Sequence, residues 1–246
     1  MTNHPWSFSV AELQRVLGVG RLRVRNDFEA MAAALPTLGD AGRRQVGGGS
    51  PQAGAALAVL GPGTGLGVGG LAAAVGGRYA PIAGEGGHVT LAATTPREAA
   101  VLAWLGVRFG HASAERALSG PGLVNLHAAL CAIDGQPALT LQPADVVRGA
   151  LGGRDPVCHE ALQLFAAFLG NVAGNLALTL GARGGVYVGG GIVPQLGAAF
   201  DASPFRARFE AKGRFRGYLE QVPTWVITAP TPALQGAVNA LDAAAG

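Results

Sequence analysis

Residues 55–70 read AALAVLGPGTGLGVGG, an apolar run and then ten positions that hold six glycines and one threonine. AALAVL has the length and composition of a strand. The ten residues after it decide the fold. Glycines spaced like this let the backbone take positive φ and approach a ligand closely, and an anion is the first candidate. GLGVGG at 65–70 matches G-x-G-x-x-G, yet LAAAVGGRYAPIAG after it breaks at Gly76-Gly77, before a crossover helix can form, which argues against a dinucleotide site. The chain contains no G-x-x-x-x-G-K-[ST], so a Walker P-loop is excluded. A strand, glycine turn and strand fit better, with backbone N–H groups and the Thr64 hydroxyl forming a phosphate cradle. A plain tight hairpin fits the same residues equally well.

Upstream, Ser9 and Glu12 make a capping box, and Val10, Leu13, Val16 and Leu17 repeat at helical spacing, so a helix is expected from about 9 to 18. RLRVR at 21–25 alternates and reads as a strand, ending at Asn26-Asp27 before the helical FEAMAAAL. GDAGRRQVGGGSPQAG at 39–54 reads as a loop or domain joint. Downstream, Thr95-Pro96-Arg97-Glu98 starts a helix through Ala99 to Gly106, and Ser113 caps a short one. Asp155-Pro156 opens a long apolar helix carrying Leu162, Phe165, Leu169, Val172, Leu176 and Leu180. GGVYVGGGIVPQL predicts a strand, a glycine corner and a helix from about Val193; TWVIT is a further strand and PALQGAVNALDAAA a last helix. Strands and helices alternate, so the class is α/β.

With 246 residues, 49% of them hydrophobic, the chain can bury a substantial core. Its net charge is only +3 and its basic residues scatter, so the pI near 9.3 does not mark a nucleic-acid surface. Lys212 is the only lysine among 18 basic residues, a sign of genomic base composition. Cys131 and Cys158 lie far apart without partners at metal-ligand spacing, so neither a disulfide framework nor a zinc site is expected, which fits a reducing cytoplasm. MTNHPWSFS lacks a basic and an apolar leader region, and no uninterrupted apolar run reaches roughly 18 residues, so no membrane segment is expected.

Several polar residues stand where chemistry is commonly placed, and each also has an ordinary explanation. Asn26 and Asp27 lie at a strand end and helix start, where open sheets put ligand groups, but both are good helix caps. Gly84-Glu85-Gly86-Gly87-His88 presents a carboxylate and an imidazole suited to a polyol, or simply a turn. Glu115, in SAERALSGPGL, suits the first turn of a helix.

Taken together, RNDFEA, GPGTGLG, GEGGH, SAERALSGPGLVNL and GGGIVP resemble, in order and spacing, the bacterial glucokinase family of the sugar kinase and actin superfamily. The match runs from MTNHPW to the C-terminus. It implies an actin-like ATPase (ribonuclease H-like) two-domain sugar kinase fold, with 1–38 plus 231–246 as a truncated small domain and 39–230 as the large domain. It implies phosphoryl transfer from ATP, with Mg²⁺, to the 6-hydroxyl of glucose. Asp27 aligns with the catalytic base and Asn26 with a sugar ligand beside it. Glu85, His88 and Glu115 align with residues that bind the other glucose hydroxyls. Gly63, Thr64 and Gly65 align with the second phosphate motif, and Gly190, Gly191 and Ile192 with the adenosine motif; Ser119 to Leu123 and Gly236 are assigned to the nucleotide cleft. The resemblance also admits a homodimer. The cysteine-rich zinc motif of the repressor and sugar-kinase branch is absent.

The chemistry is coherent. Phosphoryl transfer needs positioning, charge neutralisation and a base within reach, and an aspartate side chain is a carboxylate at neutral pH. One departure stands out: family members open with Asp-x-Gly-Gly-Thr, the first phosphate motif, and this sequence begins about a quarter of the way into a typical member. The expectation is that the chain as written is unstable or catalytically weak and that the gene's start lies upstream. Two other readings remain: a sugar-binding remnant that cannot hold Mg²⁺-ATP, and a dinucleotide-dependent oxidoreductase using GLGVGG.

Overall fold

The computed structural model describes residues 7–153 and 155–242; the opening MTNHPW and the end of the last expected helix, 243–246, lie outside them. In chain order the main elements are α1 (Val10–Leu17), α2 (Asp27–Ala34), β1 (Arg43–Val46), β2 (Leu57–Pro62), β3 (Leu66–Ala73), β4 (Tyr79–Ala83), α3 (Pro96–Phe109), α4 (Ala114–Ala117) and α5 (Gly120–Ile133). They continue with α6 (Pro143–Leu151), α7 (Pro156–Leu180), β5 (Gly185–Val188), α8 (Val193–Leu196), α9 (Ala198–Asp201), α10 (Phe205–Glu210), α11 (Arg216–Glu220), β6 (Thr224–Ile227) and α12 (Pro232–Asp242).

The strands form one mixed sheet in the order β1-β6-β5-β2-β3-β4. β2 is antiparallel to β3 and parallel to β5, so the glycine-rich stretch is a hairpin, without the crossover helix of a dinucleotide fold. Central β2 is buried at every position, as an uninterrupted apolar strand with neighbours on both edges should be. One sheet face packs on α7 and the helices around it. The other carries α2 through Ala32, with Leu35 just beyond its end, against Leu57, Val59, Leu71, Tyr187 and Ile227. α7 is long and apolar enough to cross a membrane, but most of it lies inside this fold.

Two sequence expectations fail. RLRVR forms no strand, because alternation marks a half-buried ribbon while a ladder needs a neighbour, and among the described residues none pairs with it. Instead Arg25 forms an ion pair with Glu29 one turn into α2. Conversely, the expected loop 39–54 contains β1, antiparallel to β6. Its polar RRQV hid it, since long arginine stems can cover apolar surface as aliphatic residues do. The Arg43 guanidinium lies 4.3 Å from the centre of the Trp225 ring and donates to the Tyr187 hydroxyl at 3.0 Å.

The α3 helix is tied to α10 by a buried pair. Glu98, 2% exposed, accepts from the Thr94 amide at 2.7 Å and from Arg208 at 2.8 Å. Burial pushes its carboxyl up, but the hydrogen bonds from Arg208 and Thr94 outweigh that and hold it below the ordinary glutamate range. A carboxyl so depressed contributes stability above its unfolded value and loses it as pH falls through the lower folded value. Arg208→Met is expected to lower the unfolding free energy at neutral pH by about 3–5 kcal/mol, since it leaves a buried carboxylate unpaired. The gap to the parent should narrow in acid, where Glu98 is neutral. Urea unfolding at neutral and acid pH measures both; a gap that does not change with pH would count against the pair.

Candidate active site

The first turn of α2 carries the two central polar residues. Asn26 is the N-cap, its Oδ1 accepting from the Phe28 amide at 2.8 Å and the Glu29 amide at 3.3 Å. Asp27 begins the helix, and its Oδ1 accepts the same Phe28 N–H at 2.9 Å. Capping uses one atom of each side chain. The Asn26 amide nitrogen and the second Asp27 oxygen have no protein partner among the described residues, so capping and ligand binding are compatible here.

Asn26, Asp27, Gly63, Thr64, Gly65, Glu85, His88, Glu115 and Gly190 all line one cleft of about 360 Å³. Gly84-Glu85-Gly86-Gly87-His88 packs Gly86 and Gly87 tightly on β3, where a Cβ at Gly86 would press on Val68 and one at Gly87 on the Leu66 carbonyl. The exposed Glu85 and His88 side chains are left facing the cleft with no protein partner among the described residues. Glu115, in the first turn of α4, accepts the Leu66 N–H at 2.9 Å through one oxygen, and its other oxygen has no partner among the described residues.

The turn at Gly63–Gly65 is braced from several sides. Gly63 N–H donates to the Gly65 carbonyl, and Gly120 N–H, at the start of α5, donates to the Gly63 carbonyl, both at 2.8 Å. The Thr64 and Gly65 amides and the Thr64 hydroxyl have no protein partner among the described residues. With the N-terminus of α5 pointed at the turn, these donors favour an anion.

None of the six glycines from 61 to 70 has positive φ. Gly61, Gly65, Gly67 and Gly70 are required for space: a Cβ at Gly65 would lie 2.5 Å from the Glu115 carboxylate, and one at Gly67 would fall inside the Phe28 ring. Gly190 differs, with φ +80° and no room for a Cβ beside the Pro62 carbonyl. Gly191 and Ile192 lie past the end of the cleft: Gly191 lines a hollow that shares Met31 and Gly190 with it, and both residues line the next, about 330 Å³, with Leu123, Pro143 and Val147. Ser119 caps α5, accepting from Gly122 N–H at 3.0 Å. Gly236 is placed elsewhere than expected. It sits in α12 against the backbone of Ala30 and Ala34, where only a glycine lets the two helices approach.

A family model described as glucokinase matches residues 1–244. The chain belongs to the glucokinase family. A glucokinase from Aromatoleum aromaticum is 58% identical over 242 residues, which cover 98% of this chain and 73% of that protein. One from Paramagnetospirillum magneticum is 51% identical, covering 96% and 74%. Among solved structures, glucokinase from an Antarctic psychrotroph superposes with a TM-score of 0.90 at 37% identity, covering 98% of this chain and 75% of that one. The mixed sheet with helices on both faces is the actin-like ATPase fold of these sugar kinases.

Sequence reasoning missed Phe28 and Met31, which line the cleft beside Asp27. A signal existed: Gly67 and Gly69 fall on one face of β3, leaving a flat patch that an aromatic ring can cover. Among the described residues no arginine or lysine lines the cleft, while three carboxylates do.

Proposed function

We infer that this glucokinase-family chain transfers the γ-phosphoryl group of ATP to the 6-hydroxyl of glucose, giving glucose 6-phosphate and ADP. The observation that carries the reading is the convergence, in one cleft, of unspent polar atoms from Asn26, Asp27, Glu85, His88 and Glu115 with a turn whose Thr64 and Gly65 amides have no protein partner among the described residues. The first set suits a polyol and the second a phosphate.

In this reading the unengaged Asp27 oxygen accepts the 6-hydroxyl proton as that oxygen bonds to the γ-phosphorus and the bond to the bridging β,γ-oxygen breaks. Asn26, Glu85, His88 and Glu115 pair with the remaining hydroxyls, so a sugar lacking one would leave a buried polar group unmatched. The Thr64 and Gly65 amides meet the phosphates, and Gly190, Gly191 and Ile192 hold the adenosine. ATP is taken as its Mg²⁺ complex, since no arginine or lysine among the described residues lines the cleft to offset phosphate charge. We assign 1–38 with 231–246 to the lobe that closes over the sugar and 39–230 to the lobe that carries the sugar- and nucleotide-binding motifs. A cytoplasmic location supplies ATP and keeps Cys131 and Cys158 reduced.

The test is formation of glucose 6-phosphate with ATP and Mg²⁺ in a coupled assay. Glucose binding without ATP-dependent turnover would replace the kinase reading with a sugar-binding one. Within it, Glu85→Gln is expected to raise the KM for glucose about tenfold, the loss of one hydrogen bond to a charged group, while the KM for ATP stays put. Equal changes in both constants would remove Glu85 from the sugar site.

A further inference from the structure

Outside the cleft, α5 and α7 bring together four side chains that the phosphoryl transfer does not use. His127 and Cys131 stand four residues apart, on one face of α5. Asp155 is the N-cap of α7, and Cys158 lies in its first turn. His127, Cys131 and Cys158 are 2%, 3% and 1% exposed, and Asp155 is half-buried. A ring nitrogen of His127, a carboxylate oxygen of Asp155 and the Cys158 Sγ all lie within 4.8 Å of one another. The Cys131 Sγ is 3.9 Å from both ring nitrogens of His127.

The imidazole makes no hydrogen bond to nitrogen or oxygen among the described residues, an unusual state for a group so buried. Asp155 accepts from the Cys158 amide at 2.9 Å and is hydrogen-bonded to the Cys158 thiol, whose proton a cation would replace. We propose that His127, Asp155 and Cys158, with Cys131 as fourth donor, bind a thiophilic divalent cation of the zinc class. Imidazole, thiolate and carboxylate are the donors zinc takes, and a tetrahedral ion with bonds of ~2.0–2.3 Å sets its ligand atoms ~3.3–3.8 Å apart. Closing His127, Asp155 and Cys158 onto an ion needs movements of ~1 Å, within the reach of side-chain rotation, and Cys131, in contact with the imidazole, turns in to complete the set. Each coordinating thiol gives its proton to solvent. The cation then offsets two of the three negative charges carried by Asp155, Cys131 and Cys158, and the half-buried Asp155 leaves the remaining charge beside solvent.

The sequence concealed this arrangement, since the cysteines are far apart and neither pair, H-x-x-x-C nor D-x-x-C, is complete alone. Packing of α5 on α7 makes it a four-donor set. The expected consequence is a brace across the two helices.

The experiment uses the whole chain, stripped with a chelator and titrated with Co²⁺. One equivalent should produce a thiolate-to-cobalt charge-transfer band that zinc abolishes, and zinc at a hundredfold excess over its Kd should raise the Tm by about 5–10 °C. Cys158→Ser should remove the tight site. If that variant does not fold, Cys131→Ser serves instead, and should lower the band by one thiolate's share and weaken binding. Absence of a band at saturating cobalt, or a band unchanged in whichever variant folds, overturns the proposal. Neither readout depends on kinase activity.

Discussion

Asp27→Asn is expected to reduce kcat by about 10²–10⁴-fold, the usual contribution of a positioned general base, with little change in glucose affinity. Asparagine retains an oxygen to accept the Phe28 N–H that Asp27 Oδ1 now accepts at 2.9 Å, so the start of α2 stays capped. What it loses is the proton-accepting oxygen facing the cleft. The carboxylate is therefore tested without dismantling its support. Steady-state kinetics with a parallel glucose titration separates the outcomes: a comparable fall in glucose affinity would make Asp27 a sugar ligand, and an unchanged kcat would remove it from the chemistry.

The second large effect is expected at a residue that bears no functional group. Gly67→Ala puts a methyl where the Phe28 ring now lies, so the ring and the first turn of α2 must move off the hairpin. Displacement of a catalytic group by ~1 Å can cost about 10²-fold in rate, and crowding of this kind typically costs about 1–3 kcal/mol of stability. Phe28→Ala in the same chain removes the collision. The pair should then be coupled by about 0.5–3 kcal/mol, the double variant being more stable than the sum of the single changes. Thermal unfolding of the four proteins, together with kcat, measures this. Parent-like turnover in Gly67→Ala would mean that Phe28 does not hold Asp27 in place.

Both predictions concern the same contact seen from two sides. Asp27 is aimed by a helix cap, and the helix is seated by Phe28 on Gly61 and Gly67. Glu115 has the corresponding role across the turn, where its bond to the Leu66 amide links the sugar side of the cleft to the phosphate side. Glycines at 61, 65 and 67 are thus sites of close approach. Their reading as left-handed positions failed, because the partners that fill the space, Phe28 and Glu115, lie far away along the chain.

Local interactions were legible in the sequence by itself. Caps at Asn26, Thr95 and Asp155 act over two or three residues, so the helix starts at α2, α3 and α7 could be read directly. The hairpin of β2 and β3 is also local, and the order of the motifs was enough to indicate the family. Tertiary structure alone decided that RRQV is a strand and RLRVR is not, because a ladder exists only where a partner lies alongside. It alone gathered Asn26, Asp27, Glu85, His88 and Glu115 into one cleft and His127, Cys131, Asp155 and Cys158 into one cluster. Distance through space between residues remote in the chain is set by packing of the elements that carry them, and no local pattern encodes it.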